Sequence, residues 1–334
     1  MVWGRSKRSS VKPCRFRRVG KANGSRECAP DDRLRVPTIP RNDFERWWAR
    51  RVTAPLPTLR DEWVPCLKAF RRFSNPKRNE IADIYADIRK VLGTSVVNLI
   101  WRNLATMPGA LEWTWSAVRP LYLGDAPLHA EAVRQTIALP DWPGFSTDTL
   151  AAAGVDEAER ALVRDVLDSY QYTNALALVV LSALLAHYQP RPADAVKPAG
   201  TAPKPSGAKI PELPPMAALD PEVAALVEEL NAFGEDTEPQ LIASMYRHLA
   251  YWPTYLALVR TMLTPLQREG RLNALTLSTR ALGHAHGAVL ASQLKPATPP
   301  DTLNGALASC RLFVEHPIAR MTGLCALIRR ATPQ

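Results

Sequence analysis

The stretch IWRNLATMPGALEWTWSAVRPL at residues 100–121 recurs later in the chain as MYRHLAYWPTYLALVRTMLTPL at residues 245–266. A shorter echo lies upstream, where EIADIYADIRKVLG at 80–93 resembles EVAALVEELNAFG at 222–234. Repeated sequence predicts repeated structure, so we expect two copies of one unit, with a site where the copies meet. At a spacing of 145 residues, the first two stretches share seven amino acids: Arg102/Arg247, Leu104/Leu249, Ala105/Ala250, Pro108/Pro253, Leu111/Leu256, Pro120/Pro265 and Leu121/Leu266.

The apolar residues follow a helical period rather than the alternation of a strand. Ile81, Ile84, Tyr85 and Ile88 share one helix face, and Gly93 is a typical helix end. No segment shows a convincing alternation of apolar and polar residues. The sequence therefore predicts an all-α fold of two tandem helical repeats that form an intramolecular pseudo-dimer. Further helices are predicted over 96–107, 110–119 (ended by Pro120), 126–138, 157–174, 174–187, 221–233, 240–251, 254–263, 272–291, 300–314 and 317–329.

Charge separates the N-terminal segment from the rest of the chain. Residues 1–78 hold 21 Lys and Arg against 7 Asp and Glu, whereas the remaining residues hold 21 against 25. The mildly acidic body argues against a nucleic-acid-binding core. Residues 1–74 are expected to be a basic tail of low order or the product of an upstream start codon wrongly chosen. A third hypothesis is that this tail is an arm that binds nucleic acid. Such binding would be sensitive to salt and would be lost when residues 1–74 are removed.

Proline divides the body of the chain into two halves. Residues 189–221 contain nine prolines in 33 residues, a density that excludes a helix or a central strand. We therefore predict one helical repeat at 75–188, a proline-rich linker at 189–219 and a second helical repeat at 220–334. The sequence leaves open whether the pseudo-dimer pairs further as a homodimer.

Several classes of site and location are excluded or disfavoured by composition. The five cysteines form no CxxC, which is typical of a reducing compartment, so a cytoplasmic protein is expected. The longest apolar run, at 175–186, is too short to span a bilayer, so we predict a buried helix and no membrane partner. No glycine-rich phosphate loop, GxSxG or HExxH occurs, and no metal site is predicted at His284 and His286.

Polar residues within apolar helices are the candidates for chemistry. Asn174 is either a structural amide or helix N-cap, or an amide that orients a water or substrate, because a buried amide needs a partner. Arg102 and Arg247 occupy matching positions and are expected to brace each unit. His248, among apolar residues, is expected to be a structural histidine.

Two motifs carry a family resemblance. The first is LA-x-x-P, which occurs once in each of the two quoted stretches, and the second is SYQYTNALAL at 169–178. Over roughly 75–330 the chain resembles the group I 2-haloacid dehalogenases, the DehI family. The resemblance implies an all-α pseudo-dimer around one site and hydrolysis of a short 2-halocarboxylic acid without metal or cofactor. It further implies a water, activated by an aspartate and positioned by an asparagine, that attacks the halogen-bearing carbon directly with inversion.

Carried over residue by residue, the resemblance assigns candidate positions in this chain. The water-positioning asparagine falls on Asn174, and a serine that helps to hold the substrate carboxylate falls on Ser244. Tyr172, Val96 and Leu99 fall at or near further substrate-binding positions.

The catalytic aspartate of the family falls on Met245, eight residues before Pro253. A thioether accepts no proton near neutral pH, and the loss of a general base typically costs about 10²–10⁴ in rate. Glu238 and His248 are the candidate replacements. Two functions therefore compete: a hydrolase that is weakly active or uses a variant base, and a non-catalytic relative that binds a small carboxylic acid or acts as a helical interaction protein.

Overall fold

The computed structural model describes residues 76–190, 195–205, 207–235 and 241–334, and every regular element within these ranges is a helix. The predicted tail at 1–74 and the candidate base Glu238 lie outside the described residues. The α-helices are α1 (Pro76–Leu92), α2 (Leu99–Leu104), α3 (Ala110–Leu123), α4 (Ala126–Thr136), α5 (Thr147–Ala152), α6 (Glu157–Tyr188), α7 (Pro221–Ala232), α8 (Ser244–Leu249), α9 (Pro253–Arg268), α10 (Arg271–Leu290), α11 (Leu303–Phe313) and α12 (Ala319–Ala331).

Helix α6 forms the centre of the fold. The carboxylate of Asp156 accepts the backbone N–H of Glu159 and caps its start, as an N-cap aspartate should. From Thr173 to Leu185 every side chain of α6 is buried. Among the described helices, α6 alone has the length and composition to cross a membrane, but 83% of its most apolar window is buried inside the fold. It is therefore packed as a core helix.

Two glycines allow α10 to approach α6 closely. A Cβ atom at Gly283 would lie 2.4 Å from Cγ of Leu178, and one at Gly287 would lie 2.5 Å from Cβ of Ser182 and 2.7 Å from the backbone nitrogen of Ala183. Because Gly283 and Gly287 are four residues apart, they share one face of α10. Any larger side chain on this face would push the two helices apart.

The predicted ends of two helices, at Pro120 and at residue 263, were wrong. Helices α3 and α9 continue through Pro120 and Pro265 by several residues. Proline frees the carbonyl four residues earlier, here those of Ser116 and Thr261. Both of these residues are exposed, so water can hydrogen-bond the freed carbonyls and the helix is tolerated.

Several helix starts recur at the spacing of the repeated sequence. Helices α1, α2 and α4 start at 76, 99 and 126, and helices α7, α8 and α10 start 145 residues later, at 221, 244 and 271. The same shift would move α6 to 302–333, a range that α11 and α12 occupy, joined by a π-helical segment at Val314–Ile318. A pseudo-twofold relation between the halves stays a prediction.

The described part of the proline-rich linker runs along both halves of the chain. Its Ala199 donates a backbone hydrogen bond to the carbonyl of Leu128 in α4. Further on, the linker carbonyls accept hydrogen bonds from two residues of α8 and from Tyr251, two residues after its end. Pro211 accepts from His248, Glu212 from Tyr251 and Pro214 from Arg247. An extended proline-rich chain has no internal hydrogen bonds, which leaves these carbonyls free to accept.

We predict that Gly287→Ala destabilises the protein by about 1–3 kcal/mol, because the new methyl group would overlap the backbone of α6. The matched control is Gly305→Ala in α11, an exposed helical glycine whose Cβ would meet only the flexible Sδ of Met107, at 3.2 Å. Alanine there should be neutral or stabilising. Thermal unfolding of both variants measures the difference, and equal midpoints would contradict the close packing of α6 and α10.

Candidate functional site

A cavity lies between elements of the two halves of the chain and has a volume of about 50 Å³. That is room for roughly three or four water molecules. Its walls are mainly aliphatic, with a few amide and hydroxyl groups. The lining residues are Val97, Asn98, Leu99, Ile100, Tyr170, Asn174, Leu241, Ile242, Ala243, Ser244, Met245, Phe313, Pro317, Ile318 and Met321.

Ser244 and Met245 enter the cavity from the first turn of α8. The chain before this turn is fixed by the amide of Asn231, which accepts the N–H of Ala243 and donates to the carbonyl of Leu241. Met245 is buried, with 1% of its surface exposed. Within the described residues, no aspartate or glutamate lines the cavity.

Asn174 reaches the cavity from the middle of α6, so its reading as a helix N-cap was wrong. Its Oδ1 accepts a hydrogen bond of 2.9 Å from Nδ2 of Asn98, which lies just before α2. Both amides are buried. This pair links α6 to α2 and satisfies the carbonyl of Asn174, as a buried amide in a core helix requires.

Tyr170 lines the cavity one turn before Asn174 and begins a hydrogen-bonded chain that leads away from it. Its hydroxyl lies 2.6 Å from Nδ1 of His248, and Nε2 of the same histidine lies 3.1 Å from the carbonyl oxygen of Pro211. The carbonyl can only accept, so Nε2 carries the proton, and Nδ1 accepts from the Tyr170 hydroxyl. On the cavity side, the Ser244 hydroxyl also hydrogen-bonds Tyr170.

Two arginines act on this chain of groups. Burial raises the pKa of the Tyr170 hydroxyl, while the positive charges of Arg102 and Arg247 and the hydrogen bond from Ser244 lower it. The arginines therefore create a positive potential at the cavity wall. Arg247 also holds the linker, because its Nε donates to the carbonyl of Pro214 at 2.9 Å. Arg102 is exposed. It contributes charge, but within the described residues it makes no hydrogen bond comparable to that of Arg247.

A π-helical turn forms the wall opposite α8. The segment Val314–Ile318 contains Pro317, which cannot donate a backbone hydrogen bond. Phe313, Pro317 and Met321 recur at intervals of four and share one face, which lines the cavity. Such local π-helical turns are frequent at functional sites.

The cavity brings together four of the predicted site residues: Asn174, Ser244, Met245 and Leu99. Tyr172 is not among its lining residues. It precedes Asn174 by two residues, which is a rotation of about 200° around the helix, so its side chain lies on a different face. Val96 is buried beside the cavity but does not line it, and its N–H donates to Oγ1 of Thr94. The substrate-binding roles of these six residues stay predictions.

Sequence reasoning placed neither Tyr170 nor Asn98 at the site. Tyr170 precedes Asn174 by four residues, so helical periodicity could have placed both on one face. The role of Asn98 as the partner of Asn174 had no local signal, since 76 residues separate the two. For the wall formed by Phe313, Pro317 and Met321, the only signal in the sequence was a proline within a helical pattern.

The two neighbouring histidines of α10 have different partners. His284 hydrogen-bonds Glu315, whereas His286 is buried and lies 2.9 Å from His129, nitrogen to nitrogen. Within the described ranges, no group of three or more His, Cys, Asp or Glu side chains is arranged to hold a metal ion.

Comparison with known proteins gives two curated relatives with the same description, configuration-inverting 2-haloacid dehalogenase. The relative from Alcaligenes xylosoxydans xylosoxydans is 30% identical over 249 residues, which cover 68% of this chain and 81% of the relative. The chain belongs to this dehalogenase family. The relative from Pseudomonas sp. (strain 113) is 27% identical over 238 residues, which cover 66% of this chain and 76% of the relative. No protein-family model matches the chain.

Solved structures of related proteins confirm the all-α fold. A D-2-haloacid dehalogenase mutant superposes with a TM-score of 0.58 at 17% identity, over 75% of this chain and 92% of that one. The complex of a D-2-haloacid dehalogenase mutant with D-2-CPA gives a TM-score of 0.52 at 18% identity, over 76% and 91% of the two chains.

We predict that the protein loses stability as the pH falls from about 6.5 towards 4. Burial lowers the pKa of His248 and of His286 to about 4 each, and it lowers the pKa of His129. In this window the unfolded chain binds protons that the folded chain does not, so His248 and His286 each cost on the order of 3 kcal/mol at the acid end.

Chemical unfolding between pH 7.5 and 4.5 measures this loss. His286→Gln is the matched variant, because it removes one buried imidazole and should reduce the pH slope by up to one proton. Equal unfolding free energies at pH 7 and pH 5 would contradict the neutral, buried state of these histidines.

Proposed function

We propose that this chain binds a short 2-halocarboxylic acid in the cavity and hydrolyses it slowly, by direct attack of water on the halogen-bearing carbon. The observation that carries the proposal is that Asn174, Ser244 and Met245, which come from distant parts of the sequence, line one cavity. Family membership supplies the reaction class, and both curated relatives are named as configuration-inverting enzymes. The proposed reaction needs no cofactor and no metal.

In this proposal Asn174 positions the attacking water and Ser244 helps to hold the substrate carboxylate. Asn174 is suited to the role because its own carbonyl is held by Asn98, which fixes the direction of the amide. The aliphatic wall around Leu99 and Met321 accommodates the alkyl chain and the halogen. The positive charges of Arg102 and Arg247, which act on Tyr170 in the same wall, favour entry of an anion.

Met245 stands at the position of the general base, and this makes the proposed hydrolysis slow. A buried thioether neither takes a proton from water nor repels the substrate anion. The substitution therefore weakens catalysis while it favours carboxylate binding.

The alternative function is a non-catalytic relative that binds a small carboxylic acid, or a helical interaction protein. The absence of a carboxylate from the described cavity wall favours the first of these over efficient hydrolysis. Slow hydrolysis and carboxylate binding share a small-acid ligand, and these two candidates differ only in whether halide is released.

The proposal includes the architecture of two tandem repeats around one site. The matched helix starts at a spacing of 145 residues support two copies of one unit. The cavity wall draws on both halves, so we propose one site for each pseudo-dimer rather than one for each repeat.

We predict that Met245→Asp raises the rate of halide release from 2-chloropropionate by about 10²–10⁴, because it restores a general base at the wall of the cavity. Both enantiomers should be assayed with the full chain. Met245→Asn is the matched control, since it has the shape and polarity of aspartate but no basicity. Thermal unfolding establishes that each variant is folded.

A Met245→Asp variant that is folded and no faster than Met245→Asn would contradict the assignment of this position. Equal, rapid halide release by the unmodified chain and Met245→Asp would show that the carboxylate is not needed. Saturable binding of 2-chloropropionate without halide release by any variant would favour the non-catalytic alternative.

A further inference from the structure

The hydrogen-bonded chain Ser244–Tyr170–His248–Pro211, here called the tyrosine–histidine relay, connects the cavity to a buried imidazole. Tyr170 is 5% exposed and lines the cavity, while His248 is buried behind it and does not line the cavity. Any proton that His248 takes from a cavity water must therefore pass through the Tyr170 hydroxyl.

The positions of the protons along this relay follow from its partners. Pro211 offers only a carbonyl oxygen, so Nε2 of His248 is protonated and Nδ1 holds a free lone pair. The hydroxyl of Tyr170 points its proton at that lone pair across 2.6 Å. The phenolic oxygen can accept further hydrogen bonds on the cavity side, where Ser244 already donates one. A water in the cavity is a second donor of the same kind.

We propose that Tyr170 and His248 together act as the general base that Met245 cannot supply. The proposal rests on the proposed function, because it concerns hydrolysis at the same cavity. Tyr170 is the group that contacts the attacking water, and His248 acts through Tyr170.

The step is balanced without any further reactant. The water oxygen forms a bond to C2 of the acid while the C2–halogen bond breaks, and the halide leaves with the electron pair of that bond. One proton of the water moves to the oxygen of Tyr170 as the phenolic proton moves to Nδ1 of His248. The resulting imidazolium releases its proton to solvent after the products leave.

The proton affinity of His248 is suited to this role. Burial, opposed by the Pro211 carbonyl and reinforced by the charges of Arg247 and Arg102, lowers its pKa to about 4. The imidazole is therefore unprotonated at neutral pH, and its Nδ1 is free to take the phenolic proton.

The relay should nevertheless be a slower base than a carboxylate. Its protonation creates a cation beside Arg247 and Arg102, whereas protonation of a carboxylate removes a charge. It also requires two proton transfers in concert instead of one. Both effects agree with a chain that is weakly active rather than inactive.

A catalytic role of Tyr170 can be distinguished from a structural one by removing its hydroxyl in two backgrounds, the unmodified chain and a Met245→Asp variant that restores a carboxylate. Halide release from 2-chloropropionate is measured for the unmodified chain, Tyr170→Phe, Met245→Asp and the double variant. We expect Tyr170→Phe to lower kcat of the unmodified chain at least tenfold, with KM nearly unchanged. In the Met245→Asp background the same change should alter kcat by less than threefold, because the carboxylate bypasses the relay.

His248→Gln tests the second group of the relay. Glutamine can still donate to Pro211 but offers no basic nitrogen to Tyr170, so it should reproduce the loss seen with Tyr170→Phe and the same bypass by Met245→Asp. The matched control is Tyr251→Phe, which releases another contact of the same linker, to Glu212, without touching the relay. Tyr251→Phe should leave kcat unchanged.

Three outcomes would overturn the relay. The first is an equal loss of kcat from Tyr170→Phe in both backgrounds, which indicates a structural role. The second is an unmodified chain with no detectable halide release beside an active Met245→Asp variant, which would support the assignment of position 245 but not slow hydrolysis by the unmodified chain. The third is no halide release from any of the four proteins although all are folded, which overturns both the proposed function and the relay.

Discussion

The site depends on burying an amide in the middle of the core helix. Asn174 lies within a run of α6 in which every side chain is buried, and its carbonyl must be paired there or cost about 1–3 kcal/mol. Asn98 supplies that pairing from the start of α2. The bond therefore joins the two elements that form one side of the cavity. Close packing of α6 on Gly283 and Gly287 of α10, at points one and two turns after Asn174, holds the helix in place.

In the proposed function, the chain keeps the shape of a hydrolytic site while its charges differ from those the family chemistry implies. With Met245 at the proposed base position, the charges of Arg102 and Arg247 act on the described wall without an opposing carboxylate. We therefore propose that an anionic acid is attracted more strongly and that the water beside it is activated less. A neutral tyrosine and a neutral histidine are the basic groups that remain within reach, and burial sets their proton affinities.

Much of the fold could be predicted from the sequence because its signals are local. Helical periodicity, the glycine after α1 and the aspartate before α6 each act within one or two turns. The prolines of α3 and α9 misled because their effect depends on exposure, which no local pattern encodes. At the site, Asn174 and Met245 came from resemblance, whereas Asn98 and the wall of α11 and α12 required the tertiary structure. Tyr172 came from resemblance as well, whereas the structure places Tyr170 at the cavity wall.

The most direct test of the account is a single turnover of 2-chloropropionate by excess unmodified protein in water enriched in ¹⁸O. Direct attack by water at the cavity predicts that the 2-hydroxy acid from this first turnover carries one solvent ¹⁸O atom at C2. An unlabelled hydroxyl in the product would mean that a protein group had attacked the carbon first. That result would contradict the account, because the relay would then have no water to activate.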